Sequence, residues 1–162
     1  MAQKTRELVK NIADELIQLL NKAYADELIA YFYYKTAAMV VKGIHAKTVA
    51  DQLEEIANEE LEHSEELAER IIQLGGEPLD DWDAITKNAN YPKIDLPEDR
   101  SDHIGILKAV HVAEQGAIEV YDSLIKFLQS SPQRDPITLH LARHIMGEEM
   151  HHEEEVETLL GL

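Results

Sequence analysis

The chain has 162 residues, of which 44% are hydrophobic and 29% charged, and its formal net charge is −17. This composition predicts a folded globular chain, and the acidic balance argues against nucleic acid as a partner, since phosphate binding needs clustered Lys and Arg. The chain has no cysteine, which excludes disulfides, iron–sulfur clusters and thiolate zinc sites. No stretch reads as a signal peptide or a membrane span, so we expect a cytoplasmic protein with no membrane contact.

Apolar residues recur at helical spacing in four long segments, which predicts four helices and no strand. The segments run from about Thr5 to Val41, from Ala46 to Leu74, from just after Ser101 to Gln129 and from Pro136 to Leu160. Gly75 and Gly76 give a helix C-terminus signal after the second segment. Ser101 is the predicted N-cap of the third segment, and Pro136 suits the first turn of the fourth.

The connections between these segments are unequal in length. Short turns join the first segment to the second and the third to the fourth, so each pair should form an antiparallel hairpin. The second and third segments are separated by residues from about 75 to 100, within which DDWDAITKN predicts one short helix. A helix of ~28 residues is ~42 Å long, and a connection of this size can span it. We therefore predict an all-α fold, in which residues 1–162 form one four-helix bundle domain with a long crossover between helices two and three.

A charged pair interrupts the apolar stripe of the fourth segment. Glu149 follows Ile145 by four residues and His152 follows Glu149 by three, which places both side chains on the stripe. The competing pair at the same spacing is Glu148 with His151, but His151 falls on a solvated face and Glu148 lies nearer the edge. The other three helices show the same interruption near mid-length, at Glu27, at Glu60 with His63, and at Glu114.

Four carboxylates at one level of a bundle core would repel one another, and a buried carboxylate without a partner costs several kcal/mol. No Lys or Arg lies on the four stripes at that height, so the neutralising cations must come from outside the chain. Oxygen and imidazole ligands without sulfur suit a pair of iron or manganese ions and also admit zinc. The sequence therefore predicts a dinuclear site whose ligands are Glu27, Glu60, His63, Glu114, Glu149 and His152.

Three further residues are linked to these positions by their spacing. Tyr34 and Tyr121 follow Glu27 and Glu114, respectively, by seven residues. The two tyrosines are most simply core aromatics, and a hydrogen bond to the site or a redox role is the alternative. His111 lies one turn before Glu114, a spacing that permits, without favouring, an auxiliary metal or outer-shell role.

Several motifs resemble those of known proteins. ELEHSEELAERIIQLGG, residues 60–76, and HHEEEVETLL, residues 151–160, are similar to the second and fourth helices of bacterioferritins. ELIAYFYYKTA, LKAVHVAEQGAIEVY and DPITLHLARHIMGEEMHHE look like the Dps-like archaeal and bacterial branch, between ferritins and bacterioferritins. Nearly the whole chain thus resembles the ferritin-like superfamily, in its Dps-like and bacterioferritin-related, non-haem di-iron branch. The resemblance implies that the six predicted ligands bind two iron ions, with Glu60 and Glu149 bridging them.

The resemblance also implies an activity. Such a protein is an iron-storage and oxidative-stress protein, a ferroxidase that oxidises Fe(II) with hydrogen peroxide or dioxygen and stores ferric mineral in a hollow homo-oligomeric shell. A short fifth helix is typical of 24-subunit ferritins, whereas this sequence ends ten residues after His152, which favours 12 subunits. The alternative is a redox enzyme that forms no cage, either a rubrerythrin-like peroxidase or a manganese catalase.

Two positions depart from the family pattern. Leu61 stands where bacterioferritins have the methionine that binds haem, so we expect no haem. Several Dps-like relatives have a cysteine pair beside the site, whereas Gly116 lies two residues after Glu114 here and the chain has no cysteine. The cofactors that the resemblance implies are therefore two iron ions per subunit, with manganese or zinc as alternatives.

Overall fold

The computed structural model of the chain describes residues 4, 7, 9–91, 93–133 and 135–162. Within these residues there are five continuous α-helices and no β-strand. The helices are α1 (Ala13–Val40), α2 (Ala46–Leu74), α3 (Trp82–Asn88), α4 (His103–Ser130) and α5 (Pro136–Leu160). The all-α prediction is confirmed, and the short helix predicted in the crossover is α3.

The start of the first long helix differs from the prediction. Thr5, where the apolar pattern begins, lies outside the described residues. Residues 10–12 form a turn, so the continuous helix begins only at Ala13. Asn11 lies in this turn, and asparagine favours turns because its side chain competes for backbone hydrogen bonds.

The N-cap predicted for the third long helix is also wrong, by one position. Asp102 caps α4, and its carboxylate accepts a hydrogen bond from the backbone N–H of Gly105 at 2.8 Å. The hydroxyl of Ser101 instead donates to the carboxylate of Asp99 at 2.7 Å. A carboxylate one residue further on thus takes the capping role, as Asp residues commonly do.

Two apolar clusters at opposite ends of the bundle define the helix directions. One cluster combines residues from the start of α1, the end of α2, the end of α4 and the start of α5. The other combines the end of α1, the start of α2, the start of α4 and the end of α5. Helices α2 and α4 are therefore parallel, and each packs along an antiparallel partner, α1 and α5 respectively. This is the predicted four-helix bundle with one long crossover.

Two polar side chains of α1 hold the crossover along the outside of the bundle. Asn21 accepts a hydrogen bond from the Leu79 backbone N–H at 3.0 Å and donates to the Glu77 carbonyl at 3.2 Å. Asp26 accepts hydrogen bonds from the Asn90 backbone N–H at 2.7 Å and from the Asn90 side chain at 2.6 Å. Burial raises the pKa of Asp26 to about 7, although the hydrogen bonds from Asn90 act in the opposite direction.

A buried ion pair joins α2 to the first turn of α5. Arg70 donates to both carboxylate oxygens of Asp135, at 2.8 and 3.0 Å, and to the Thr138 hydroxyl at 2.7 Å. Burial tends to raise the pKa of Asp135, but hydrogen bonds from Thr138 and Arg70 outweigh it and hold that pKa below its usual value. Asp135 is also the N-cap of α5. Among the described helices, none is both long and apolar enough to cross a membrane.

Candidate metal centre

The six predicted ligands meet at mid-height of the bundle, between the two apolar clusters. Each of the four long helices supplies one glutamate, and α2 and α5 each add a histidine one turn further on. None of the six residues exposes more than 2% of its surface. The structure thus brings together Glu27, Glu60, His63, Glu114, Glu149 and His152.

The two histidines direct the same ring nitrogen, Nδ1, toward carboxylate oxygens. His63 Nδ1 lies 3.1 Å from Glu149 Oε1, 3.6 Å from Glu27 Oε2 and 3.7 Å from Glu60 Oε2. His152 Nδ1 lies 3.4 Å from Glu114 Oε2. It also lies 3.7 Å from Glu60 Oε1 and 3.8 Å from Glu149 Oε2. The result is two groups of four side chains, each containing one histidine and three glutamates.

Glu60 and Glu149 belong to both groups. Glu60 presents Oε2 to His63 and Oε1 to His152, while Glu149 presents Oε1 to His63 and Oε2 to His152. In each group, one atom from each residue lies within 4.8 Å of the corresponding atoms of the other three. The arrangement could therefore hold two cations side by side, with Glu60 and Glu149 reaching both.

Six of the atoms that face one another in the two groups have no hydrogen-bond partners. They are Glu27 Oε2, His63 Nδ1, Glu114 Oε2, both carboxylate oxygens of Glu149, and His152 Nδ1. Buried polar atoms are nearly always hydrogen-bonded, so a set of unpartnered acceptors at one point suits the binding of a cation. Carboxylate oxygens and imidazole nitrogens fit a transition-metal pair, and no sulfur ligand is involved.

Crowding shifts the pKa values of several of these groups. Burial, followed by the charges of Glu149 and Glu27, raises the pKa of Glu60 well above its usual value, and burial raises that of Glu114 to about 8. Burial would also raise the pKa of Glu149, but the neighbouring rings of His152 and His63 outweigh it and hold that pKa at about 2. Burial lowers the pKa of His152, yet the adjacent carboxylates raise it to about 12. In the absence of metal, protons thus compensate part of the negative charge.

Tyr34 and Tyr121 form hydrogen bonds with the glutamates, in a crossed arrangement. Tyr34 donates to Glu114 Oε1 at 2.6 Å, and Tyr121 donates to Glu27 Oε1. Each tyrosine therefore bonds the glutamate of the other helical hairpin, and not the one seven residues before it in the chain. These bonds occupy the carboxylate oxygens that face away from the histidines.

Sequence reasoning missed two further glutamates. Glu148 contacts His63 Nε2 at 2.8 Å, and Glu59 contacts His152 Nε2 at 2.6 Å. A carboxylate on Nε2 fixes the proton there and leaves Nδ1 free to act as a ligand, a common arrangement around metal-binding histidines. The available signal was the doubled glutamate in both motifs, since Glu59 and Glu148 each directly precede a predicted ligand.

Comparison with known proteins agrees with this architecture. The ferritin family, described as a ferritin-like domain, matches residues 17–162. The DNA protection during starvation protein of Pyrococcus furiosus is 32% identical over 163 aligned positions, covering 99% of this chain and 86% of that protein. The bacterioferritin-related protein of Bacteroides fragilis, described as a dodecameric thioferritin, superposes with a TM-score of 0.89 at 31% identity, covering 99% and 94% of the two chains.

A third similar protein has a described metal site. The bacterioferritin of Desulfovibrio desulfuricans, whose structure is described in terms of a diiron site in different catalytic states, superposes with a TM-score of 0.77. It is 26% identical in sequence, and the match covers 93% of this chain and 81% of that one. Because the family match spans most of the chain and extends to sequence as well as fold, this chain belongs to the ferritin-like family.

Proposed function

We propose that this chain is an iron-storage and oxidative-stress protein whose central site is a ferroxidase. Glu27, Glu60, His63, Glu114, Glu149 and His152 are the proposed ligands of two iron ions. The observation that carries the proposal is the pair of four-residue groups that share Glu60 and Glu149, because a shared pair of carboxylates holds two ions next to each other. The described diiron site of the Desulfovibrio desulfuricans bacterioferritin supports the choice of iron.

The proposed reaction consumes two Fe(II) ions as substrate. Their oxidation to Fe(III) gives two electrons, which together with two protons reduce one hydrogen peroxide to two water molecules, and dioxygen is the alternative oxidant. Glu60 and Glu149 keep the two ions adjacent, so that both electrons can pass to one oxidant molecule. The apolar clusters above and below the site exclude bulk water. The hydrogen bonds from Tyr34 and Tyr121 restrict rotation of Glu114 and Glu27.

The proposal includes a hollow homo-oligomeric shell of about twelve subunits, in which the ferric product is stored. The dodecameric Bacteroides fragilis protein supports this size. That relative is described as a thioferritin, whereas this chain has no cysteine, so thiol chemistry is not part of the proposal. A formal net charge of −17 argues against direct binding to DNA. Protection of the cell would instead follow from the removal of Fe(II) and peroxide.

The test is the rate of Fe(II) oxidation in purified protein. Glu60→Ala and His63→Ala should each abolish the rapid phase seen by stopped-flow absorbance after mixing with hydrogen peroxide or dioxygen. Glu62→Ala, on the exposed face of the same helix, is the matched control and should oxidise Fe(II) like the wild type. Rapid oxidation by both Glu60→Ala and His63→Ala would refute the site assignment.

The size of the native particle separates the proposed function from its alternative. A mass corresponding to about twelve subunits, measured by size exclusion with light scattering, supports a storage shell. A dimer would favour the non-cage redox enzyme, a rubrerythrin-like peroxidase or a manganese catalase. Metal analysis of the same sample distinguishes between those two, since the catalase contains manganese.

A further inference from the structure

A second group of side chains of metal-ligating type joins α4 to α5 and is partly exposed to solvent. His111 Nε2 lies 3.1 Å from Glu157 Oε1 and 3.7 Å from Glu153 Oε1. One ligand atom from each of the three residues lies within 4.8 Å of the corresponding atoms of the other two. All three residues are partly buried, in contrast to the fully buried ligands of the candidate metal centre.

We infer that His111, Glu153 and Glu157 form a separate site for one divalent transition-metal ion. Two ligands of the same ion lie roughly 3.0–3.5 Å apart, since each is ~2.0–2.2 Å from the ion in tetrahedral or octahedral geometry. The His111–Glu157 distance of 3.1 Å falls within this range, and the His111–Glu153 distance of 3.7 Å is slightly longer than it. One imidazole and two carboxylates suit Fe(II), Mn(II) or Zn(II), whereas Mg(II) and Ca(II) prefer oxygen ligands alone. Solvent would complete the coordination.

The three side chains are held in position by the hairpin. Glu153 and Glu157 are four residues apart on α5 and so lie on one face, opposite His111 of α4. Gln115, one turn after His111, donates a hydrogen bond to Glu153 Oε1 at 2.9 Å. Ligands that rotate little between the free and bound states bind metal with a smaller loss of entropy. The site therefore needs only small side-chain adjustments to bind an ion.

The two helical hairpins, α1–α2 and α4–α5, contain the same order of glutamate and histidine ligands for the candidate metal centre. If the His111 cluster were a consequence of this repeat, an equivalent cluster would occur in the first hairpin. The residues of α1 and α2 that correspond to His111, Glu153 and Glu157 are Tyr24, Ser64 and Ala68. These residues cannot form the same ligand set. The cluster is thus an independent feature of one hairpin.

The charge balance of the cluster also favours a cation. Two glutamates four residues apart on one helix repel each other. Among the described residues, no Lys or Arg nitrogen forms a salt bridge with either Glu153 or Glu157, and the His111 ring nitrogen contacts both carboxylates. The competing explanation is that the His111 ring only contacts the two carboxylates and no metal is bound. The two explanations differ in whether a metal ion binds.

Zinc is a suitable probe because it has no redox chemistry. Metal-free full-length protein is equilibrated with micromolar Zn(II) and bound zinc is counted by elemental analysis, while crystals grown from the same sample are measured at the zinc absorption edge. We expect an anomalous peak between His111 Nε2 and the two carboxylates. Glu157→Gln and His111→Ala should each lose this peak and bind one zinc ion fewer per subunit. Glu154→Gln, which removes an equal charge from the exposed face of α5, should bind as many ions as the wild type.

Two outcomes would overturn the inference. One is the absence of an anomalous peak at the cluster; the other is a zinc count that Glu157→Gln leaves unchanged while the variant remains folded by circular dichroism. The result is separable from the proposed ferroxidase function. A peak at His111 with no zinc at Glu60 and Glu149 would refute the dinuclear site and leave this inference intact, and the reverse pattern would do the opposite.

Discussion

Two clusters of buried charge on α2 and α5 are compensated in different ways. In the Arg70 ion pair, the guanidinium and the Thr138 hydroxyl hydrogen-bond to Asp135, and the pKa of Asp135 is lowered despite burial. In the candidate metal centre, carboxylate and imidazole atoms face one another without hydrogen-bond partners. There the pKa of Glu60 is raised, because burial and neighbouring carboxylates disfavour its charge.

The contrast distinguishes a structural charge cluster from a binding site. The ion pair is complete within the chain, so its removal should affect stability and little else. The candidate centre has more acidic groups than the two histidines can neutralise, and protons compensate part of the charge. A divalent cation displaces such protons when it binds. The binding free energy of the metal then adds to the stability of the folded state. The two clusters should therefore respond oppositely to mutation.

The largest stability loss is expected from breaking the ion pair. Arg70→Ala leaves Asp135 buried with its charge uncompensated, which should lower the free energy of unfolding by about 3–5 kcal/mol. Urea denaturation of metal-free protein at a fixed subunit concentration measures this. Arg143→Ala, which removes an exposed arginine of α5, should change stability by no more than about 0.5 kcal/mol. Equal losses in the free energy of unfolding would show that the buried ion pair contributes no more to stability than an exposed arginine does.

A single substitution in the candidate centre should have the opposite effect on the metal-free protein. Glu60→Gln replaces a carboxylate whose ionised form is disfavoured by burial, so the metal-free variant should be more stable than the wild type at neutral pH. The wild type should gain about 2.7 kcal/mol when Mn(II) is present at 100 times its dissociation constant, and the variant should lose this gain.

Thermal and urea unfolding with Mn(II) and with a chelator measure both effects. Glu62→Gln on the exposed face of α2 is the control, and its response to Mn(II) should match the wild type. An undiminished Mn(II) effect in Glu60→Gln would show that the ion binds elsewhere, and would remove the distinction between the two clusters.

A smaller effect is expected from the glutamates that contact the outer nitrogens of the histidines. Glu148→Gln keeps an acceptor near His63 Nε2 but removes its charge. Loss of such a partner typically weakens metal affinity by about 10–100-fold, or about 1.4–2.7 kcal/mol. Mn(II) titration monitored by electron paramagnetic resonance gives the affinity. Retention of wild-type affinity would mean that Glu148 does not position the histidine.

The sequence predicted the six central residues and missed their outer partners for a physical reason. A polar residue on an apolar stripe is visible within one helix, which is how Glu149 and His152 were assigned. Glu59 and Glu148 lie at the stripe's edge, about 40% exposed, and their partners belong to a different helix. Periodicity reports the direction of a side chain but not which residue of another helix it meets.

The same limit applies to the two tyrosines. The sequence relates Tyr34 to Glu27 and Tyr121 to Glu114 only by a spacing of seven residues within one helix. Two turns of helix separate the members of each pair, about 10.5 Å at 1.5 Å per residue, and in the structure each tyrosine instead donates to a glutamate of another helix. Helices α1 and α4 run in opposite directions at the centre of the bundle. This packing brings Tyr34 of α1 to Glu114 of α4, and Tyr121 of α4 to Glu27 of α1.

The crossed tyrosine bonds give the smallest predicted effect, and they test how the centre is held together. Tyr121→Phe removes the donor to Glu27, and Tyr34→Phe removes the donor to Glu114. Each should cost about 1 kcal/mol, the usual net contribution of one hydrogen bond. Since Glu27 groups with His63 and Glu114 with His152, Tyr121→Phe should lower Mn(II) occupancy mainly in the His63 half, and Tyr34→Phe mainly in the His152 half. Anomalous occupancies in crystals of the two variants measure this, with Tyr31→Phe as the control. Equal losses in both halves would show that the tyrosines act on general packing and not on individual ligands.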